Sequence, residues 1–337
     1  MTSDDALALA AEAGLHYTEA GDRGMRRVRR GKGFSYVDDA GSAVNGLRRK
    51  WIEGLVIPPA WADVWISGDP DGHILATGVD KAGRKQYIYH PDWETVRDEA
   101  KFERLRDFGK RLPALRRGID GQLRKKGLDR KKVVALAIAV LDRTLIRVGN
   151  RRYADGNESY GLTTLTCDHL AINGSHLHLE FAGKGGAERE VVFQDRRLSS
   201  LVQRCQELAG QTLFSYPTPD GSPASVTSTD INRYLANSMG GPFTAKDFRT
   251  WGASSLVAGE LARHEPGDRD VVLGAIDAAA EHLGNTRAVC RGSYVHPAVL
   301  TAHEDGSLKE AWLTSRTGKW MSRSESTLRT VLDTESA

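Results

Sequence analysis

The spacing of apolar residues changes close to residue 90, and this change constrains the fold more than any other feature. Between Phe34 and His90 the apolar residues form short runs broken by Gly, Pro and Asp, which is typical of β-strands. Beyond residue 91 the spacing becomes helical, most clearly from Lys131 to Val148. A chain of 337 residues also has enough material for two cores. We therefore predict an α+β fold, with a small β-rich N-terminal domain over residues 1–92 and a mainly helical C-terminal domain over residues 93–337.

A small sheet is predicted inside the helical domain. Gly161–Thr166, His176–Ala182 and Arg189–Phe193 have the composition of strands, and Gly183–Gly186 has that of a turn. These runs predict a three-stranded antiparallel sheet. In the N-terminal domain, by contrast, the run Arg23–Lys32 is basic and punctuated by glycine, and it predicts a loop.

The composition argues against membrane-spanning and secreted proteins. No run approaches the ~20 consecutive apolar residues that cross a bilayer. The first residues, Met-Thr-Ser-Asp-Asp, lack the positive charge of a secretory signal. Cys167, Cys205 and Cys290 lie far apart without CxxC spacing, which argues against a disulfide framework. We therefore expect a cytoplasmic protein without a membrane partner.

Positive charge is concentrated in two parts of the chain. The whole sequence has 47 Lys and Arg against 44 Asp and Glu, but residues 97–152 contain 18 basic and 7 acidic side chains. The Arg23–Lys32 run contains six basic side chains and no acidic one. Such runs are often only solvated faces of helices. Two of them in one mildly basic protein favour nucleic acid as the partner, because each neutralised phosphate releases a counterion.

Several kinds of chemistry find no support in the sequence. A P-loop needs GxxxxGK followed by Ser or Thr, and neither Gly31-Lys32-Gly33 nor Gly183-Lys184-Gly185 fits that motif. His176 and His178 share one face of a predicted strand but have no third ligand nearby in the sequence. No acidic cluster of the kind used by two-metal nucleases is found. We therefore expect no nucleotide, no metal and no other cofactor.

The chemistry-bearing residues that remain are arginine, lysine and tyrosine in four motifs. Arg147 is predicted at the end of the apolar helix, Lys184 at the tip of the Gly-rich hairpin, and Arg249 near the start of a helix. Tyr294 follows Gly284–Arg287 by a short helical stretch. Taken alone, each has an ordinary structural interpretation. An arginine at a helix end complements the macrodipole, a lysine in a turn is solvated, and a single tyrosine packs.

Taken together, the four motifs resemble the type IB DNA topoisomerase family, in its compact poxvirus-like and bacterial branch. The resemblance is densest at IRVGNRRYADGNESYGLTTL (residues 146–165), FAGK (181–184), KDFRTWG (246–252) and LGNTRAVCRGSY (283–294). It implies a catalytic domain shared with tyrosine recombinases, which closes with the N-terminal domain as a clamp around double-stranded DNA. It also implies a monomeric, nucleoid-associated enzyme that relaxes supercoils by cutting one strand, permitting rotation and resealing, without ATP or metal.

The resemblance implies a role for each motif. Tyr294 would be the nucleophile that forms a 3′-phosphotyrosine, Arg147 and Arg249 would hold the non-bridging phosphate oxygens, and Lys184 would be the general acid. Asn285 stands where many members of the family have histidine. An asparagine can donate a hydrogen bond to a phosphate oxygen but cannot carry charge or shuttle a proton. Asn285 is therefore expected to donate a hydrogen bond in the transition state.

The same resemblance implies contacts with DNA outside the reaction centre. The segment Gly83–Tyr89 is similar to the part of the family that reads the major groove, so Arg84 or Gln86 could bond base edges while tyrosine hydroxyls contact phosphates. An edge strand with exposed aromatic side chains is the alternative for this segment. The complete set of expected DNA-binding residues is Arg84, Gln86, Tyr87, Tyr89, Arg152, Tyr153 and Lys246.

Two other functions use nearly the same residues. A site-specific tyrosine recombinase would typically have His-x-x-Arg at the second arginine, whereas this chain has Lys246-Asp247-Phe248-Arg249, which favours the topoisomerase. Recombinases also assemble as tetramers, so the mass of the complex on DNA would separate the two. A catalytically silent DNA-binding protein is supported only by Asn285 and opposed by the other four residues.

Overall fold

The computed structural model describes residues 3–149, 151, 158–208 and 210–334. The chain divides into two compact units, one up to Lys101 and the other from Phe102 onward. The sequence prediction draws the boundary at 92/93, close to the start of helix α3 (Pro91–Leu123), whereas the units separate inside that helix.

The N-terminal unit is built on a five-stranded antiparallel sheet. Its elements are α1 (Ser3–Glu12), β1 (Gly24–Arg30), β2 (Gly33–Asp38), α2 (Gly46–Gly54), β3 (Ala62–Ser67), β4 (Ile74–Val79) and β5 (Lys85–Tyr89). The strands are arranged in the order β2-β1-β3-β4-β5. Met25, Tyr36, Ile52 and Ile66 are buried together in its core. The prediction of a β-rich N-terminal region is confirmed.

The prediction of a loop for the basic run is wrong, because most of Arg23–Lys32 forms strand β1. Met25 is buried in the core. The guanidinium carbon of Arg27 lies 4.2 Å from the centre of the Phe34 ring, and the same guanidinium donates to the carbonyl of Trp61 at 2.6 Å. Because a guanidinium can stack on an aromatic ring while its N–H groups bond to backbone, a strand tolerates this composition.

The C-terminal unit is mainly helical. After α3 its helices are α4 (Arg130–Thr144), α5 (Arg196–Gln206), α6 (Ser228–Met239), α7 (Ala245–Leu261), α8 (Arg269–Leu283), α9 (Arg287–Ser293), α10 (Pro297–Glu304), α11 (Ser307–Thr314) and α12 (Arg323–Thr334). Its strands are β6 (Leu170–Asn173), β7 (His176–Ala182), β8 (Glu188–Gln194) and the short pair β9 (Ser215–Pro217) and β10 (Pro223–Ser225). In the described part of the chain, no helix combines the length and apolar character that a membrane crossing requires.

The predicted three-stranded antiparallel sheet is confirmed, in the order β6-β7-β8, but its first strand lies elsewhere. The predicted strand at Gly161–Thr166 is instead a turn of 3₁₀ helix, and β6 follows it. A Cβ on Gly161 would lie 2.6 Å from the carbonyl oxygen of Arg147, and the Leu162 N–H donates to that oxygen at 2.9 Å. The segment therefore packs against the Arg147 backbone instead of joining a sheet.

Helix α4 ends earlier than the apolar pattern predicts. The pattern runs to Val148, but the helix ends at Thr144, and Leu145 adopts a left-handed conformation with φ 52°. The Leu145 side chain packs against Gly252 of α7, where a Cβ would lie 2.2 Å from Leu145 Cδ1. Arg147 consequently lies in the segment after the helix, and not at the helix end.

A largely buried charged network joins four helices of this unit. Arg116 of α3 donates to Asp142 of α4 and to Glu325 of α12, each at 2.7 Å. Glu325 also accepts from the indole N–H of Trp251 on α7 at 3.0 Å. The network therefore fixes α7, which carries Arg249, and α4, which leads into the Arg147 segment.

Candidate active site

The end of helix α8 organises the predicted site. Gly284 closes this helix in a left-handed conformation, and the Asn285 N–H returns to the carbonyl of Ala280 at 2.9 Å. The last carbonyls of a helix lack an N–H from a following turn and carry its partial negative charge. They are therefore favourable acceptors for cationic side chains.

Three arginines from different parts of the chain bind four consecutive carbonyls at this helix end. Arg189 donates to Glu281 at 2.9 Å and to His282 at 2.8 Å, Arg249 to Leu283 at 2.9 Å, and Arg147 to Gly284 at 3.4 Å. The negative end of the helix dipole offsets part of the repulsion among the three charges. The result is a concentrated positive charge built around a single backbone turn.

Arg249 is the most deeply buried of the three, at 3% exposure. Its other terminal nitrogen donates to the carbonyl of Leu145, and its Nε has no hydrogen-bond partner among the described residues. Burial lowers the pKa of Arg249 to about 10, although the contact with Tyr294 opposes this shift. The guanidinium therefore stays charged at neutral pH and keeps one buried donor unpaired.

Arg147 fixes the orientation of Asn285. One terminal nitrogen of Arg147 donates to the Asn285 side chain, and a guanidinium has no acceptor, so the amide atom facing it is Oδ1. The Asn285 Nδ2 is then turned away, and it is buried without a partner among the described residues. The site thus contains a second unpaired donor in addition to that of Arg249.

Tyr294 follows helix α9 directly and is half-buried. The Arg249 guanidinium carbon lies 5.1 Å from the centre of the tyrosine ring. Burial raises the pKa of Tyr294, but the positive charges of Arg249, Arg147 and Lys246 outweigh it, and the pKa lies below its ordinary value of 10. The electrostatics of the site therefore favour the phenolate.

The backbone of Tyr294 is tied to helix α7 by a serine. Ser254 Oγ donates to the Tyr294 carbonyl at 3.0 Å and accepts from the His296 N–H at 2.9 Å. Ser254 is fully buried and lies on the same helix as Arg249. The tyrosine and the arginine therefore share one rigid support.

Lys184 lies at the tip of the β7–β8 hairpin, as the sequence predicts. The Gly183 N–H donates to the Ala187 carbonyl at 2.7 Å and closes the turn, and Gly185 and Gly186 both have φ 78°. Lys184 is exposed, and its ammonium group makes no ion pair with a described residue. The structure thus brings Tyr294, Arg147, Arg249 and Asn285 together, whereas Lys184 stands on a neighbouring hairpin.

The expected DNA contacts fall in three places. Lys246 is exposed in the first turn of α7, close enough to act on the charge of Tyr294. Arg152 and Tyr153 lie outside the described residues. The other four lie on or next to strand β5 of the N-terminal unit.

The β5 residues form two different arrangements. Arg84 Nε and Gln86 Nε2 both donate to one oxygen of Asp80, at 2.7 and 2.8 Å. Tyr87 and Tyr89 stack with ring centres 5.6 Å apart, and the Tyr87 side of the stack is exposed. The tyrosines thus present a surface, while the two longer side chains are held by a carboxylate.

Sequence reasoning missed two residues of this site, Arg189 and Ser254. The sequence predicts Arg189 only as the start of a strand and Ser254 only as part of a helix. Neither has a local signal, because their partners are backbone groups from other parts of the chain. Among the described residues, no group of three or more His, Cys, Asp or Glu side chains is placed to hold a metal ion.

Comparison with known proteins assigns the family. A model of the eukaryotic DNA topoisomerase I catalytic core matches residues 90–314, and one of the bacterial DNA topoisomerase IB N-terminal domain matches residues 33–80. The DNA topoisomerase 1B of Acanthamoeba polyphaga mimivirus is 30% identical over 295 residues, covering 84% of this chain and 88% of that protein. The DNA topoisomerase 1B of Vaccinia virus (strain Copenhagen) is 22% identical over 244 residues, covering 69% of this chain and 73% of that protein.

Among solved structures, the XerH site-specific recombinase bound to a palindromic difH substrate has a TM-score of 0.40 and 19% identity, over 59% of this chain and 51% of that chain. That score lies below the level that implies a shared fold. The family models and the viral relatives, in contrast, extend over most of the sequence. The chain belongs to the type IB DNA topoisomerase family, whose enzymes relax supercoiled DNA.

Proposed function

We propose that this topoisomerase relaxes DNA by cutting one strand through Tyr294, allowing rotation, and resealing the same strand. The observation that carries the proposal is a pair of buried, unpaired donors: Nε of Arg249, which lies against the Tyr294 ring, and Nδ2 of Asn285, which Arg147 orients. A buried donor without a partner costs free energy, so its presence needs an explanation. A phosphate group bound next to Tyr294 would supply acceptors for both.

In the cutting step, the Tyr294 phenolic oxygen attacks the phosphorus of one phosphodiester. The bond from phosphorus to the 5′-oxygen breaks, which leaves a 3′-phosphotyrosine and a 5′-hydroxyl. A free tyrosine has a pKa of about 10 and is mostly protonated at neutral pH. The arginine charges that lower the pKa of Tyr294 ease loss of its proton to water.

The arginines and Asn285 act on the non-bridging oxygens. Arg147 and Arg249 each bind a carbonyl at the end of α8 through one terminal nitrogen, and through the other they bind Asn285 and the Leu145 carbonyl, respectively. These bonds keep the guanidiniums in place, and the unpaired Arg249 Nε is left as a donor to the phosphate. Negative charge grows on these oxygens in the pentacoordinate transition state. Fixed positive donors stabilise that charge without reorganisation during the reaction.

Lys184 donates the proton that the departing 5′-oxygen needs. Its position on a turn of small residues leaves room for a DNA backbone to approach. In resealing, the 5′-hydroxyl attacks the phosphotyrosine, its proton returns to Lys184, and the Tyr294 phenolate leaves. Because the ester conserves the energy of the broken bond, the cycle is proposed to need neither ATP nor a metal ion.

The wider setting is part of the same proposal. The two units would close around the duplex as a clamp, with the enzyme acting as a monomer in the cytoplasm. Tyr87 and Tyr89 would contact the DNA backbone. Arg84 and Gln86 would have to leave Asp80 to reach base edges, so base reading by these two residues would accompany DNA binding.

The test is relaxation of a supercoiled plasmid with excess EDTA and no ATP. Wild type should relax the plasmid and yield a covalent protein–DNA adduct when stopped with detergent, whereas Tyr294→Phe should give neither product. Tyr216→Phe, which removes a hydroxyl on strand β9, is the matched control and should behave like wild type. Relaxation by Tyr294→Phe would refute the assignment of the nucleophile. Failure of wild type without added metal would refute metal independence.

A further inference from the structure

Arg189 joins two parts of the site that are far apart in sequence. It lies on β8 opposite Phe181 of β7, five residues after Lys184 in the chain. Its two terminal nitrogens donate to the carbonyls of Glu281 and His282, at 2.9 and 2.8 Å. The hairpin that carries Lys184 is thus tied to the helix end that also holds Arg147 and Arg249.

Two glycines make room for this side chain. A Cβ on Gly183, next to Lys184, would lie 2.8 Å from Arg189 Cγ. A Cβ on Gly284, next to Asn285, would lie 2.4 Å from the Arg189 Nη1. The Arg189 stem therefore passes directly over the Lys184 turn, and its charged end directly over the Asn285 turn. Each turn has a glycine at the point of closest approach.

The bonding of Arg189 distinguishes it from the other two arginines. Both terminal nitrogens are engaged with backbone carbonyls, and Arg189 does not contribute a buried unpaired donor in the described chain. Arg249, in contrast, keeps its Nε unpaired and lies against the Tyr294 ring. The geometry therefore fits a structural link between two turns better than a phosphate ligand.

We propose that Arg189 is a positioning residue that holds the Lys184 hairpin against the end of helix α8, so that Lys184 reaches the departing 5′-oxygen. This inference rests on the proposed role of Lys184 as general acid. A residue that acts only through the acid should matter when the leaving group needs a proton and should matter little when it does not.

The experiment compares single-turnover cleavage of two duplexes that differ in one atom. One has the ordinary 5′-oxygen at the scissile phosphate, and the other has sulfur there, because a thiolate leaves without protonation. On the oxygen substrate, Arg189→Ala should cleave about 100-fold slower than wild type, at the low end of the effect of a general acid. On the sulfur substrate it should cleave within about 3-fold of wild type, on the same argument. Arg189→Lys keeps the positive charge but loses the paired bonds to two carbonyls. It should cleave the oxygen substrate about 10-fold slower than wild type and the sulfur substrate at close to the wild-type rate.

Three variants interpret the result. Lys184→Ala should cleave the oxygen substrate slowly and the sulfur substrate at close to the wild-type rate. Arg249→Ala should cleave both substrates slowly. Arg204→Ala, which removes an exposed charge on α5, should cleave both at the wild-type rate. If Lys184→Ala is rescued and Arg189→Ala is not, the positioning role is refuted and the proposed function stands. If Lys184→Ala is not rescued, its role as general acid is refuted, and the positioning inference falls with it. Normal cleavage of the oxygen substrate by Arg189→Ala also refutes the inference. Arg189→Lys decides between these outcomes should the alanine variant fail to fold.

Discussion

Replacing Glu325 by glutamine should destabilise the C-terminal unit without changing the shape of the side chain. Glu325 accepts two bonds from Arg116, at 3.0 and 2.7 Å, one from Trp251 at 3.0 Å and one from the Ser322 N–H at 2.8 Å. Glutamine has one acceptor oxygen, so its NH₂ group would face at least one of these donors. Breaking a buried ion pair costs about 3–5 kcal/mol, and Arg116 would still keep Asp142 as a partner. We therefore expect a loss of about 3 kcal/mol, at the lower end of that range.

Thermal unfolding measures this loss. For a unit of this size, 3 kcal/mol corresponds to a Tm lower by roughly 6–12 °C. Glu310→Gln, an exposed position on α11, is the matched control and should change Tm by less than about 2 °C, since exposed substitutions usually cost under 0.5 kcal/mol. An unchanged Tm in Glu325→Gln would refute the stabilising role of the network.

The pH dependence supplies an independent check. Burial raises the pKa of Glu325, but Arg116 and the other donors outweigh it, so the pKa in the folded state lies below its ordinary value. A carboxyl with a depressed pKa stabilises the fold fully above its unfolded pKa of about 4.3, and the stabilisation is lost as the pH falls through the folded value. The Tm difference between wild type and Glu325→Gln should therefore be constant near neutral pH and shrink below about pH 4. A difference that stays constant into acid would contradict this account.

Three further predictions follow from the site. Ser254→Ala should slow single-turnover cleavage about 3- to 10-fold with unchanged DNA affinity, as expected for loss of about 1 kcal/mol of hydrogen bonding to the Tyr294 backbone. Ser255→Ala is the control and should cleave at the wild-type rate, because the Ser255 hydroxyl bonds within its own helix. Gly252→Ala should destabilise the protein by about 1–3 kcal/mol, because the new methyl would overlap the Leu145 side chain. Gly274→Ala, with nothing within 4 Å of the new methyl, should stabilise the protein slightly. Equal unfolding curves for the two variants would contradict the packing argument. The cleavage rate should rise with pH and level off below pH 10, because the pKa of Tyr294 is lowered, and a profile still rising at pH 10 would show that it is not.

The chemistry of the site could be predicted from the sequence because four motifs in order resemble those of the type IB topoisomerase family. That resemblance implies the roles of Tyr294, Arg147, Arg249 and Asn285, and the structure brings these four together at the end of α8. The change from strand-like to helical spacing near residue 90 likewise reflects how side chains alternate along each kind of element.

Local reasoning was wrong where a side chain found its partner far along the chain. The basic, glycine-punctuated run predicts a loop, yet the Arg27 guanidinium stacks on Phe34 and bonds to the Trp61 carbonyl, and the segment is a strand. The apolar pattern predicts that helix α4 extends to Val148, yet the helix ends at Thr144 because Leu145 packs on Gly252. In both cases tertiary packing outweighed the local pattern.

The sequence by itself determined which groups this protein has for its chemistry and the kind of element on which most of them lie. Only the tertiary structure decided how they are held. Arg147, Arg189 and Arg249 converge on the carbonyls of residues 281–284, and apart from Gly284, which leaves room for the Arg189 side chain, the identity of those residues does not matter to the contact. Every residue has a backbone carbonyl, so a helix end offers no sequence signal as a binding site for arginine. The convergence exists because packing leaves that one helix end open to three side chains.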